Sequence, residues 1–214
     1  MRYPACQPIY CPVRFAVSPI AVMSSPTSST QTLSHDPQGR PVLTTPRLLL
    51  SAMEPTDAPA VASLAGDKRV HDMTLLIPHP YDVRHASEWI ATHATQWSRW
   101  KQDWSMNWAI RREGTLIRAI GLVGAAHHKR AELGYWIGVP FWDQGFASEA
   151  AIAVVAFARD LLKAKRIEAG VFVGNEASRR VLQKCGLREE CIRRARYIKN
   201  DAHVDEHFMA VVFE

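Results

Sequence analysis

A chain of 214 residues that is 47% hydrophobic can bury a full core, which excludes a wholly disordered protein and suits one domain with a tail. Its formal charge of +5 is spread along the length, not gathered in one block, so charge alone does not mark it as a polyanion binder. No apolar run approaches the ~20 residues that a membrane-spanning helix needs, and Cys6, Cys11, Cys185 and Cys191 lack the spacing and histidine companions of a zinc site.

The first residues, MRYPACQPIYCPVRFAVSPIAVM, are broken by Pro4, Pro8, Pro12 and Pro19 and offer no clean apolar segment of a secretory signal. Met23 reads as an alternative start. From Ser24 to Pro46 the chain is rich in Ser, Thr, Pro and Gln with few large apolar side chains, so a flexible leader is expected over 1–44 and a folded domain over 45–214. The expected elements are then a strand at 47–53, a helix at 56–66 capped by Thr56 and closed by Gly66, and a longer helix at 82–102 with Asp82 as N-cap. Two strands at 106–112 and 116–127 joined by Glu113-Gly114-Thr115 as a hairpin follow, and then a strand at 131–139. A helix from about Ala147, a strand at 166–173, a helix at 176–185 stopped by Gly186, and strands at 189–198 and 203–213 complete the chain. This alternation predicts an α/β (mixed α+β) domain around one mixed sheet, with an antiparallel meander followed by a βαβ passage.

Between the strand at 131–139 and the next helix lies Gly145, in a turn that opens onto free N–H groups and the positive end of a helix dipole. Such an end suits an anion, phosphate above all; an ordinary βα turn is the alternative. The stretch Asp143-Gln144-Gly145-Phe146-Ala147-Ser148 lacks the lysine of a P-loop. It also lacks the three glycines of a dinucleotide fingerprint, and Glu168 opens its strand instead of ending it.

The run AELGYWIGVPFWDQGFASEAAIAVVAFA resembles the coenzyme A-binding segment of the GNAT superfamily of N-acyltransferases, whose loop reads Gln/Arg-x-x-Gly-x-Gly/Ala. Here the loop is Trp142-Asp143-Gln144-Gly145-Phe146-Ala147; its leading Trp departs from the general pattern but is similar to the ribosomal-protein N-terminal acetyltransferase (RimJ/RimL-like) branch. The segment NEASRRVLQKCGLREE, with Leu187 in place of a Phe, and TTPRLLL at the front extend the resemblance over about Thr45 to Glu214. It implies a single GNAT-like domain with a mostly antiparallel mixed sheet, flanking helices and splayed strands at the coenzyme A site. It also implies acetyl-CoA as donor and a primary amine as acceptor; no metal is expected, because neither the cysteines nor His127-His128 have companions at ligand spacing.

On that resemblance the coenzyme A contacts fall on Trp136, Ile137, Gly138 and Val139 of the strand, on Gln144, Gly145, Phe146, Ala147 and Ser148 of the turn, and on Asn175 and Ser178. The pantetheine arm would pair with the splayed strand, an interruption that Pro140 supports because it offers no N–H. An amine attacks a thioester only when neutral, so a base is needed, and Glu132 occupies a position that often carries an acid in this branch. The alternative is that Glu132 pairs with Lys129 or Arg130 at an exposed edge. Backbone N–H groups near Trp136 to Gly138 would stabilise the oxyanion. The Tyr that many members use to protonate the thiolate is replaced by Leu182, leaving Ser178 as the candidate; Asn175 is equally suited to capping its helix. Trp97, Trp100 and Trp104 read as a buried helical stripe, His127-His128 lacks ligand companions, and Arg193, Arg194 and Arg196 form either a solvated face or a surface for an acidic acceptor or RNA. The expectation is a cytoplasmic monomer or homodimer that acetylates a protein N-terminus, meeting nucleic acid only through a ribosomal acceptor. Acetylation of a small amine such as a polyamine or aminoglycoside, or a noncatalytic coenzyme A-binding or RNA-associated module, are the rivals.

Overall fold

A computed structural model describes residues 31–214. Its sheet has nine strands: β1 (Thr32–His35), β2 (Pro41–Thr44), β3 (Leu49–Ala52), β4 (Met106–Arg112), β5 (Thr115–Ala125), β6 (Arg130–Ile137), β7 (Arg166–Phe172), β8 (Arg188–Lys199) and β9 (Ala202–Val212), in the spatial order β1-β2-β3-β4-β5-β6-β7-β9-β8. The strands β1 to β6 form an antiparallel meander. Only β6 and β7 run parallel, joined by the helix α5 (Phe146–Asp160), while β9 returns antiparallel between β7 and β8. The helices α1 (Ala58–Ala65), α2 (Lys68–Asp72), α3 (Val83–Ser98) and α4 (Trp100–Asp103) lie between β3 and β4 in sequence, and α6 (Glu176–Lys184) follows β7.

Two apolar clusters hold the layers. One brings Ala150, Val154 and Phe157 of α5 onto Trp108, Ile120, Leu122 and Leu133 of the sheet. The other joins Val61 of α1 and Ile90 of α3 to Ala109, Leu116 and Ala119. Each fully buried large side chain of this kind contributes on the order of 1.5–3 kcal/mol. The sheet is thus covered on both faces where α5 crosses it, as a parallel connection requires.

Local signals account for several boundaries. Glu113 and Gly114 both have positive φ (49° and 79°), the requirement of the type I′ turn that matches strand twist. Asp82 caps α3 by accepting from His85 N at 3.0 Å, and Gly186, at φ 88°, ends α6.

Three expectations are corrected. The leader does not extend to residue 44: β1 and β2 pair with each other, Leu43 of β2 is completely buried opposite Leu50, and Trp108 Nε1 donates to the Pro41 carbonyl at 2.8 Å. Main-chain pairing and one apolar anchor hold a segment too polar to stand out by composition. Residues 1–30, with Cys6, Cys11 and Met23, lie outside the described residues. Thr56 does not cap α1; it sits in a 3-10 turn (Pro55–Asp57) whose Asp57 accepts from Glu54 N at 2.8 Å and pairs with Arg111 of β4 at 2.7 Å. Trp97, Trp100 and Trp104 are buried, but not on one helix: α3 ends at Ser98, and Trp104, at φ 53°, terminates α4 in the left-handed region.

Candidate functional site

The parallel pairing of β6 with β7 lasts for three registers, Arg130 with Arg166, Ala131 with Ile167 and Glu132 with Glu168. Beyond them β6 stays paired with β5 through Ile137, while β7 stays paired with β9 through Phe172. The two strands therefore splay, and a cavity of about 1160 Å³ fills the wedge. It is lined by Glu132–Ile137 of β6, Ala169–Phe172 of β7, Ser178 and Leu182 of α6, and Trp89 of α3. The splay starts at Leu133, well before Pro140, which instead sits in a 3-10 turn (Val139–Phe141) that ends the strand. A Cβ on Gly170 of β7 would collide with the Glu206 carboxylate, so that buried acid stands directly against the splayed part of β7.

At the mouth of the wedge α5 begins. Gly145 is its N-cap with φ 77°, and an added Cβ would meet only Arg47 Nη2 at 3.4 Å, so backbone conformation, not crowding, calls for glycine. The N–H groups of Phe146, Ala147 and Ser148 have no partner within the protein among the described residues, and the latter two residues line the cavity with Gly145 and Phe146. These orphan donors at a helix N-terminus fit a phosphate. Gln144 is displaced from the cavity: its side chain donates to the Pro140 carbonyl at 2.9 Å, and its own carbonyl accepts from Arg47. Arg47 further pairs with Glu149 at 2.6 Å and lies over the Phe146 ring at 4.7 Å, fastening the front of the domain to the first turn of α5. Burial works to raise the Glu149 carboxyl, but hydrogen bonds from Thr45 and Arg47 outweigh it and hold the pKa below the ordinary 4.5.

Glu132 stands where the strands part. Its carboxylate has neither hydrogen bond nor ion pair among the described residues, because Arg130 is engaged by Glu168 at 3.0 Å. Solvent reaches it through the cavity. Even so, desolvation by the surrounding protein and the like charges of Glu168 and Glu206 raise its pKa above 4.5, against the pull of Arg193 and Arg196. Of the expected oxyanion donors, Gly138 N–H is already given to the Ile117 carbonyl at 3.3 Å. Strand alternation then directs Trp136 to β5 as well and turns the main-chain groups of Tyr135 and Ile137 to the open edge. Gly138 and Val139 do not line the cavity; an added Cβ on Gly138 would strike Leu64 of α1. Trp136 and Ile137 do line it. Asn175 caps α6, accepting from Ser178 N at 3.1 Å, and also lines the cavity. Ser178 Oγ lies 2.7 Å from the Tyr135 hydroxyl.

Residues 47–188 match the acetyltransferase (GNAT) domain. The chain belongs to the GNAT family. It is 33% identical over 175 residues to the uncharacterized N-acetyltransferase YoaA of Bacillus subtilis (strain 168), covering 80% of this chain and 97% of that protein. Among solved structures it is similar in fold to a RimL ribosomal L7/L12 alpha-N-protein acetyltransferase in complex with coenzyme A (TM-score 0.71, 18% identity, 78% and 94% of the two chains). It is similar as well to a spermidine N-acetyltransferase from Vibrio cholerae in complex with CoA and spermine (TM-score 0.66, 19% identity, 78% and 95%).

As a GNAT enzyme this protein is an acetyl-CoA-dependent N-acetyltransferase, and the free donors at α5 and the open edge of β6 suit that cosubstrate. Several groups around the GNAT cavity escape a reading of the sequence. Tyr135 is silent because its bond to Ser178 spans two distant elements, and Glu206 is one acid among many until β9 places it against β7. Arg118 does carry a signal, the one charge inside the apolar run Leu116–Leu122.

Proposed function

We propose that this GNAT enzyme transfers the acetyl group of acetyl-CoA to the N-terminal α-amine of a protein, of the ribosomal-protein type, with Glu132 as base and Ser178 assisting the leaving thiolate. The observation that carries the base is the unpaired Glu132 carboxylate at the point where β6 leaves β7: raised above its ordinary value by desolvation and like charges, it is a better proton acceptor than a free carboxylate. The protein acceptor is supported by the far side of the cavity. There Met73, Leu76 and Ile77 of the loop after α2 join Tyr81 and Trp89, an apolar rim for the side chains that follow an N-terminal amine. Lys199 Nζ holds that loop by donating to the Thr74 carbonyl at 2.8 Å. The RimL protein shares the fold and acts on a protein α-amine by its name.

A second reading rests on a different observation: Glu88, Glu132 and Glu206 all line the cavity, a charge pattern that suits a polyamine. The two readings separate in one assay. Release of coenzyme A is followed with short peptides bearing a free N-terminus, with the same peptides blocked at the N-terminus, and with spermidine. Turnover with free but not blocked peptides supports the proposal; turnover with spermidine and none with peptides overturns it.

A further inference from the structure

The Ser178 hydroxyl, proposed to assist the leaving thiolate, does not stand alone. Tyr135 Oη lies 2.7 Å from Ser178 Oγ and 3.2 Å from the Ser178 carbonyl oxygen, and both residues line the cavity. At the shorter distance a phenol is the better donor, and a serine that accepts it keeps its own proton free for another acceptor. Behind this pair is Arg118 of β5. Its side chain is completely buried, and Nε, Nη1 and Nη2 are all without a hydrogen-bond partner among the described residues. In the β5–β6 register Arg118 stands opposite Ile137 and Ile120 opposite Tyr135, which makes Arg118 and Tyr135 diagonal neighbours on one face of the sheet.

A buried cation without a partner is strongly unfavourable to the folded state. Burial draws the Arg118 guanidinium down to about 9, so it remains charged at neutral pH. The ionisable groups that face it are Tyr135 of β6, Glu149 of α5 and Cys185 after α6. Burial pushes the Cys185 thiol up to about 12, so it is neutral, and Glu149 is already held by Thr45 and Arg47. Burial pushes the Tyr135 hydroxyl up to about 12 as well, so it too is neutral; what singles it out is its place, diagonal to Arg118 on the sheet and on the lining of the cavity.

We propose that Tyr135 and Arg118 are positioning residues for thiolate departure: Tyr135 donates to Ser178 Oγ and turns the serine proton toward the thioester sulfur, and the Arg118 cation stabilises the charge that forms there. This rests on the reading of Ser178 given above but not on the identity of the acceptor. In the step itself the amine nitrogen bonds to the acetyl carbon and the C–S bond breaks with its electron pair on sulfur. The amine proton passes to Glu132, and the Ser178 O–H hydrogen-bonds the sulfur anion. Coenzyme A then leaves as thiolate or, after taking a proton from solvent, as thiol.

The test compares binding of coenzyme A with binding of desulfo-coenzyme A by calorimetry between about pH 6.5 and 8.5, below and up to the ordinary thiol value of about 8.5. In the wild type the preference for coenzyme A is expected to grow severalfold with pH, because the site favours the thiolate. Arg118→Met and Tyr135→Phe are expected to flatten that growth. Arg118→Met should raise or preserve the melting temperature, since it removes an unpaired buried charge. Tyr135→Phe keeps the ring, so it remains informative if Arg118→Met does not fold. Tyr135→Phe and Ser178→Ala should each lower kcat with acetyl-CoA affinity unchanged, and the double variant should be no worse than Ser178→Ala alone. A preference independent of pH in the wild type, or the same pH dependence in Tyr135→Phe, overturns the proposal. An error in the acceptor would instead abolish turnover with peptides while leaving the binding comparison intact.

Discussion

The two halves of β6 have the same neighbour on one side and opposite fates on the other. Arg130–Glu132 are bonded to β5 and β7, and across the β6–β7 seam Glu168 takes both Arg130 and Arg166, leaving Glu132 unpaired among the described residues. Leu133–Ile137 are bonded to β5 alone and border the cavity. A strand normally hides its main-chain groups in a ladder, and an unpaired buried donor or acceptor costs about 1–3 kcal/mol. The open half of β6 therefore keeps its polar groups by leaving them to water or a ligand, and the proposed chemistry sits at the boundary, on Glu132.

The largest test of this division lies at the mouth of the open half. Gly145→Val places a β-branched side chain at φ 77° and disturbs the free donors of Phe146, Ala147 and Ser148. Acetyl-CoA affinity should fall by about 10²-fold or more, equivalent to about 3 kcal/mol, with the circular dichroism spectrum unchanged. Calorimetry that finds unaltered affinity would place the phosphates elsewhere.

The boundary itself is tested by Glu132→Gln, which should lower kcat by about 10²-fold while acetyl-CoA affinity is retained. The sign of the pH dependence follows from the raised carboxyl: a base works when ionised, so wild-type activity is lost as pH falls through a value above 4.5. In the variant this acidic limb should vanish from the kcat profile. Turnover close to the wild type at neutral pH would show that the amine arrives already neutral.

The smallest effect is expected from the closed half. Glu168→Gln breaks ion pairs with Arg130 and Arg166 that are partly open to solvent, so its effect on unfolding free energy should stay within about 1 kcal/mol. It also removes one of the like charges that raise Glu132, so the acidic limb of activity should move to lower pH. A limb that stays in place would mean that Glu168 does not tune Glu132, leaving desolvation and Glu206 to raise it.

Much of this molecule was legible in the order of its residues, because the signals concerned are local. A tight turn must have residues that tolerate positive φ, and Glu113-Gly114 stands between two apolar runs; a helix must cap its first N–H groups, and Asp82 precedes one. The segment from Gly134 through Ala158 likewise carries its strand, turn and helix within a short span, and with them the family. What only the tertiary structure decided depends on pairs distant in sequence. The polar composition before Thr45 concealed that Leu43 fills a core position opposite Leu50, and the tryptophan spacing concealed the break after Ser98. The meeting of Tyr135 with Ser178 and of Arg47 with Glu149, and the burial of Arg118 without a partner among the described residues, have the same origin. Periodicity says which face of an element is apolar, but which side chains meet across faces is set by strand register and helix packing, and that information is spread over the whole chain.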